Sequence, residues 1–160
     1  MPHPIVPNLW FDTQAEEAAA FYTSIFPNSR VGAVARYTEA GPGPAGSVMT
    51  VEFELNGQRF VGINGGPQFP FTEAVSFQIT CDSQDEIDDY WARLTDGGEE
   101  GPCGWCKDRF GLSWQIVPKR LYELLEDSDQ ARSRAAIEAM MRMRKIVVAE
   151  LEAAADSAMA

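Results

Sequence analysis

From Val51 to Asn56 the chain alternates strictly: Val51, Phe53 and Leu55 interleave with Glu52, Glu54 and Asn56. A period of two predicts a strand with one dry and one wet face. Asn56-Gly57 follows directly, a strong short hairpin signal, and leads into a second strand at Arg59–Asn64. The pattern predicts the partner strand at Val48–Leu55 and a further one at Arg30–Tyr37, ahead of the turn-rich Thr38–Gly46. Upstream, the apolar run Ile5–Phe11 leads into a helical pattern with the aromatic pair Phe21-Tyr22, stopped by Pro27-Asn28.

This order recurs. Asp12-Thr13-Gln14-Ala15-Glu16 reappears 70 residues later as Asp82-Ser83-Gln84-Asp85-Glu86. The second copy follows the apolar run Val75–Cys81 and precedes a helix with the pair Tyr90-Trp91, stopped at Asp96-Gly97-Gly98. Strand candidates Glu99–Pro102, Gly104–Lys107 and Ser113–Pro118 complete it. In both copies the spacing predicts a capping box, Thr13 with Glu16 and Ser83 with Glu86. The fold class expected is α+β, two βαβββ modules (4–64 and 74–118) within one domain spanning 1–118. Gly65–Thr72 links the modules and leaves pairing within one chain and pairing across a dimer both possible.

Residues 119–160 form a helical extension outside the repeat. Leu121–Glu126 reads as a short helix, and Ser128 as the cap of a long one reaching about Ala155. Ala136, Met140, Met143, Val147, Leu151 and Ala154 make one apolar stripe, suited to packing on its own domain or to serving as a dimer arm.

Charge narrows the function classes. The net charge of −11 is carried almost wholly by residues 1–118, at −10, against −1 for the remainder. Such a surface disfavours nucleic-acid and anionic-membrane partners. Mean composition is that of a globular protein, no stretch is long enough to span a bilayer, and the N-terminus lacks the pattern of a secretory signal, so a cytoplasmic location is expected. Three cysteines, Cys81, Cys103 and Cys106, are an odd number and are expected to be reduced.

The paired modules, together with the ending Asp108-Arg109-Phe110-Gly111-Leu112-Ser113-Trp114-Gln115, resemble the vicinal oxygen chelate superfamily. Leu9–Asp12, Phe21–Phe26, Leu55–Gly57, Asn64–Gly66 and Gly104-Trp105 before Lys107-Asp108 resemble its PhnB-like branch, often labelled a demethylubiquinone methyltransferase-type domain. The resemblance implies a pair of half-barrels and a homodimer. Its metal-dependent members carry ligands at positions that fall here on Val6, Ser76, Gln115 and either Gly62 or Asn64. None is His, Asp, Glu or Cys, so no metal and no other cofactor is expected. A methyl-donor site of the common kind needs a glycine-rich turn between strand and helix, whereas the first helix follows Asp12-Thr13-Gln14.

The expected role is therefore binding a small organic molecule in a metal-free barrel pocket, with catalytic residues unknown. The ligand-binding set is Asn8, Trp10, Asn64, Ser76, Gln78, Trp105 and Gln115, neutral polar groups among aromatics. Ser113 and Thr80 share strand parity with members of this set. Three alternatives stand beside it: a metal-independent lyase, isomerase or transferase using Gln115, Asn64 or a cysteine; sequestration of a cationic antibiotic, as in bleomycin resistance proteins; and thiol redox through Cys103 and Cys106.

Overall fold

The computed structural model describes residues 2–158, and the chain divides into two compact units, Met1–Phe71 and Thr72–Ala160. Unit one runs β1 (Asn8–Phe11), α1 (Ala15–Ile25), β2 (Arg30–Arg36), β3 (Val48–Leu55) and β4 (Gln58–Asn64). Its strands lie in the order β1-β4-β3-β2, with β1 parallel to β4 and the other pairs antiparallel. Unit two runs β5 (Ser76–Cys81), α2 (Gln84–Thr95), β6 (Glu99–Glu100), β7 (Trp105–Lys107) and β8 (Ser113–Pro118), then α3 (Lys119–Leu125), α4 (Gln130–Met140) and α5 (Val148–Ser157). Its order, β5-β8-β7-β6, again has one parallel pair, β5 with β8. The fold class is thus α+β, a repeated βαβββ module with a C-terminal helical extension.

The period-two pattern of β3 is realised: Val51, Phe53 and Leu55 are buried while Glu52 and Glu54 stay accessible. Phe53 stacks on Phe60 at 5.4 Å and lies near the fully buried Tyr22 of α1. In both aromatic pairs the second ring is the buried one, Tyr22 in α1 and Trp91 in α2. Asn56 and Gly57 take φ of 49° and 80°, the left-handed pair that a two-residue hairpin turn requires. β1 starts only at Asn8, because Pro4 and Pro7 offer no N–H to a ladder; Pro7 contributes its carbonyl to Val61 N instead.

Only one capping box forms. Ser83 Oγ accepts from Glu86 N at 3.2 Å, and Glu86 returns to Asp82 N at 2.8 Å. At α1 the cap position is Gln14, with no side-chain cap from its own segment. The Ala15 N–H there is taken by Asn64 Oδ1 at 2.8 Å, from the end of β4. Strand register explains the substitution. Phe11 pairs with Asn64, and its counterpart Cys81 pairs with Pro118, which has no amide side chain to offer. Module two therefore depends on its local box, and module one on a residue 49 positions away.

The long C-terminal helix expected from the stripe is broken. Asp129, not Ser128, caps α4, accepting from Ala131 N at 2.9 Å. After Met140 the chain leaves the helix to serve other partners. Met143 O and Arg144 O accept from Cys103 N and Gly104 N, each at 2.8 Å. Gln84 brackets the restart of the chain, donating to Ile146 O at 3.0 Å and accepting from Val148 N at 2.9 Å. Ile146 is fully buried in a cluster with Val117, Leu121, Leu124, Ala136 and Leu151, against which Met140, Met143 and Ala154 also pack. Most of the stripe thus packs inside unit two. Arg132 ties the start of α4 to α5 through Asp127 and Asp156.

Candidate functional site

In the second sheet, the face turned away from α2 is built by two adjacent rows. Gln78, Gln115 and Trp105 stand in register across β5, β8 and β7, and Ser76, Ser113 and Lys107 form the next row. The intervening row faces the other way: Trp114 is buried and contacts Phe77 at 5.7 Å, and Glu100 Oε1 accepts from the indole of Trp91 in α2. Gln115 Nε2 donates to Ser76 Oγ at 2.8 Å, linking the two rows. Gln78 is exposed and donates to Thr80 Oγ1.

The segment before β8 explains how these side chains are held. Asp108 is 2% exposed, and its carboxylate accepts from Phe110 N at 2.8 Å, Leu112 N at 3.1 Å and Trp114 Nε1 at 2.9 Å. Gly111, at φ 86°, lets the loop fold back around that carboxylate. Asp108 fixes where β8 begins and hence where Ser113 and Gln115 project.

Beside this face an open cavity of about 470 Å³ lies among Glu73, Glu99, Cys103, Trp105, Lys107 and Ser113. Lys107 is ion-paired with Glu73, which raises the ammonium pKa and lowers that of the carboxyl. Cys103 sits in the left-handed region at φ 58°, its Sγ 3.7 Å from Met141 Sδ. Gly104 follows at φ 82°, and a Cβ there would meet Ile116 O and the Ile146 side chain at 2.8 Å. Cys106 points to the α2 side; burial first, then Asp108 and Glu100, push its thiol up to about 12. Burial of the Cys106 thiol, 2% exposed, disfavours it as a redox nucleophile.

Unit one holds the remaining expected residues differently. Asn8 is exposed and bonds back to Val6 O. Trp10 donates to Gly66 O at 2.9 Å, meets Phe69 edge-on at 5.0 Å, and its ring fills the space that a Cβ on Gly65 would need. Asn64 lies on the strand parity of Phe11, facing α1, where it caps the helix and donates to Val48 O. Tyr37 OH donates to its carbonyl. Asn64 also borders a second cavity of about 390 Å³, with Asp12, Glu16 and Tyr37. The structure therefore groups Ser76, Gln78, Trp105 and Gln115, while Asn8, Trp10 and Asn64 belong to unit one. Sequence reasoning left Ser113, Lys107 and Cys103 out of the set; the strand parity shared by Ser113 and Gln115 was the available signal.

Register also identifies the fourth position implied by metal-dependent relatives. Asn8 pairs with Val61 as its counterpart Gln78 pairs with Gln115, so the equivalent of Gln115 is Val61, neither Gly62 nor Asn64. Gly62 faces α1, where a Cβ would meet Ala15. Val6 and Val61 have no donor atom, and Ser76 and Gln115 are neutral and bonded to each other. This set does not fit a divalent cation. Among the described residues, no three His, Cys, Asp or Glu side chains are placed to hold one.

Comparison with known proteins agrees with this architecture. The sequence model of a family described as 3-demethylubiquinone-9 3-methyltransferase matches residues 3–117. A putative 3-demethylubiquinone-9 3-methyltransferase, the PhnB protein from Bacillus cereus, is 37% identical; the match covers 72% of this chain and 99% of that one, with a TM-score of 0.64. A protein of Pseudomonas aeruginosa is 21% identical over 73% of this chain and 98% of its own, with a TM-score of 0.60. The fosfomycin resistance protein FosX from Listeria monocytogenes shares the fold at 16% identity, covering 77% and 98%, with a TM-score of 0.53. No curated protein matches.

Proposed function

The chain belongs to the 3-demethylubiquinone-9 3-methyltransferase family, within the PhnB-like branch of the vicinal oxygen chelate superfamily, and from that premise we propose that it binds a small organic molecule without a metal. The site is the α2-averted face of the second sheet with its adjoining cavity. The observation that carries this reading is the row of Gln78, Gln115 and Trp105, whose Trp105 end, with Lys107 and Ser113 of the next row, lines a cavity of about 470 Å³. Neutral amides next to an indole offer hydrogen bonds at fixed points along a flat apolar surface. A thermal-shift screen of small organic compounds on chelator-treated protein tests it, since a ligand that binds only the folded state raises Tm.

The helix starts give no support to the methyl transfer in the family's description. Neither strand-to-helix junction contains a glycine. At both helix starts a protein side chain already takes a leading N–H, Asn64 at Ala15 and Ser83 at Glu86. A phosphate-cradling or donor-cradling turn is therefore not built there.

A second reading, sequestration of a cationic molecule, draws support from Glu73 and Glu99 at the cavity edge and from the net charge of −11. It is distinguished by binding that weakens with salt. The proposal also includes a homodimer and a cytoplasmic location. The edge strand β2, exposed along its length, supports the former, and three free cysteines support the latter. Among the described residues, no helix is long and apolar enough to cross a membrane.

A further inference from the structure

Ser113 brings a buried hydroxyl to the lining of the cavity. It is 1% exposed, and its Oγ has no hydrogen-bond partner among the described residues. It nevertheless lines the cavity, in register with Lys107 on β7. A buried hydroxyl without a partner costs free energy, and native proteins rarely keep one without a use. The neighbours define what could meet it. Trp105 gives a flat apolar wall, and Pro102 and the Cys103 thiol continue it on the side where Met141 packs. The cation in the lining, Lys107, is already paired with Glu73, while Glu99 adds negative charge. An anion would meet repulsion there.

Resting on the ligand-binding reading above, we infer that this cavity takes a neutral ring compound bearing one hydroxyl or carbonyl oxygen. Its ring lies against Trp105 and its oxygen bonds to Ser113 Oγ. Anionic analogues of the same ring are rejected by the glutamates.

The test uses the full chain with four probes of matched size: 2-naphthol, 1-tetralone, 2-naphthoate and 2-naphthylmethylammonium. Binding is followed by tryptophan fluorescence and by thermal shift. The inference expects saturable binding of 2-naphthol and 1-tetralone, with naphthoate at least ~10-fold weaker. Ser113→Ala should weaken the two neutral probes by about 10-fold, which is ~1.4 kcal/mol. The same variant, without ligand, should melt at or above the wild-type temperature, because it deletes an unpartnered group. A lower Tm would show that the hydroxyl already has a partner, and would overturn the inference. So would naphthoate binding as tightly as the neutral probes, the ammonium binding more tightly than they do, or neutral binding indifferent to Ser113→Ala. Compounds from a broader screen that bind independently of Ser113 but are lost in Gln115→Leu would end the inference and leave the ligand-binding reading intact. If nothing binds, both fail.

Discussion

Gln115 Nε2 donates to Ser76 Oγ across 2.8 Å, joining two positions at which metal-dependent relatives would place ligands. Both side chains are neutral, and each has the other as a partner. The pair closes with a hydrogen bond where an ion would need carboxylate or imidazole. Protein purified without chelator is accordingly expected to carry substoichiometric divalent metal by elemental analysis, and EDTA should leave Tm unchanged. A tightly held stoichiometric ion would refute this.

The α1 cap supplied from β4 gives a second expectation. Asn64→Ala removes the partner of Ala15 N and the donor to Val48 O together. The loss should be about 2–3 kcal/mol in urea unfolding, against about 1 kcal/mol for Ser83→Ala in the local box of α2. Equal losses would mean that the long-range cap is no better than the local one.

The two caps also show what sequence could and could not reveal. Ser83 and Glu86 lie three residues apart, and their role was legible because both partners are local. Thr13 and Glu16 have the same spacing, yet the cap comes from Asn64, a choice made by strand register that no local window contains. The split between α4 and α5 failed to be legible for a related reason. Helical spacing continues through Met143 and Val147, but Cys103, Gly104 and Gln84 capture the backbone of that stretch. Strand parity, by contrast, is local. It placed Ser76 with Gln78 on one face and Ser113 with Gln115 on one face, and the strand pairing then put both in the same two rows. What parity could not supply was burial, and burial is what distinguishes Ser113.

Asp108 organises the start of β8 through three donors while almost wholly buried. Asp108→Ala leaves those N–H groups without their acceptor and should cost about 3 kcal/mol or more. Asp108→Asn should cost less, because one amide oxygen can still accept. Urea denaturation of both variants decides this; indistinguishable stabilities of Asp108→Ala and wild type would contradict it.

The cysteines should separate cleanly. Cys81 and Cys106 are buried, and burial, then nearby carboxylates, push both thiols from 9.0 up to about 12. Cys103 is partly exposed. A thiol-alkylating reagent should label Cys103 alone in the native protein and all three cysteines in denaturant, as read by intact mass. The raised values also fix a sign. Between about pH 9 and pH 12 the unfolded chain releases thiol protons that the folded chain retains, so stability present below pH 9 is lost as pH rises. Cys106→Ala should flatten that alkaline decline; a slope unchanged from wild type would contradict the burial effect.

The most direct measurement is the ligand-induced rise in Tm, made on chelator-treated and on Zn²⁺- or Mn²⁺-supplemented protein, for wild type and for Gln115→Leu. A metal-free site on the second sheet requires at least one small organic compound to raise Tm equally in both metal states, with the rise largely lost in Gln115→Leu. A rise seen only after metal is added, or one untouched by Gln115→Leu, would contradict it.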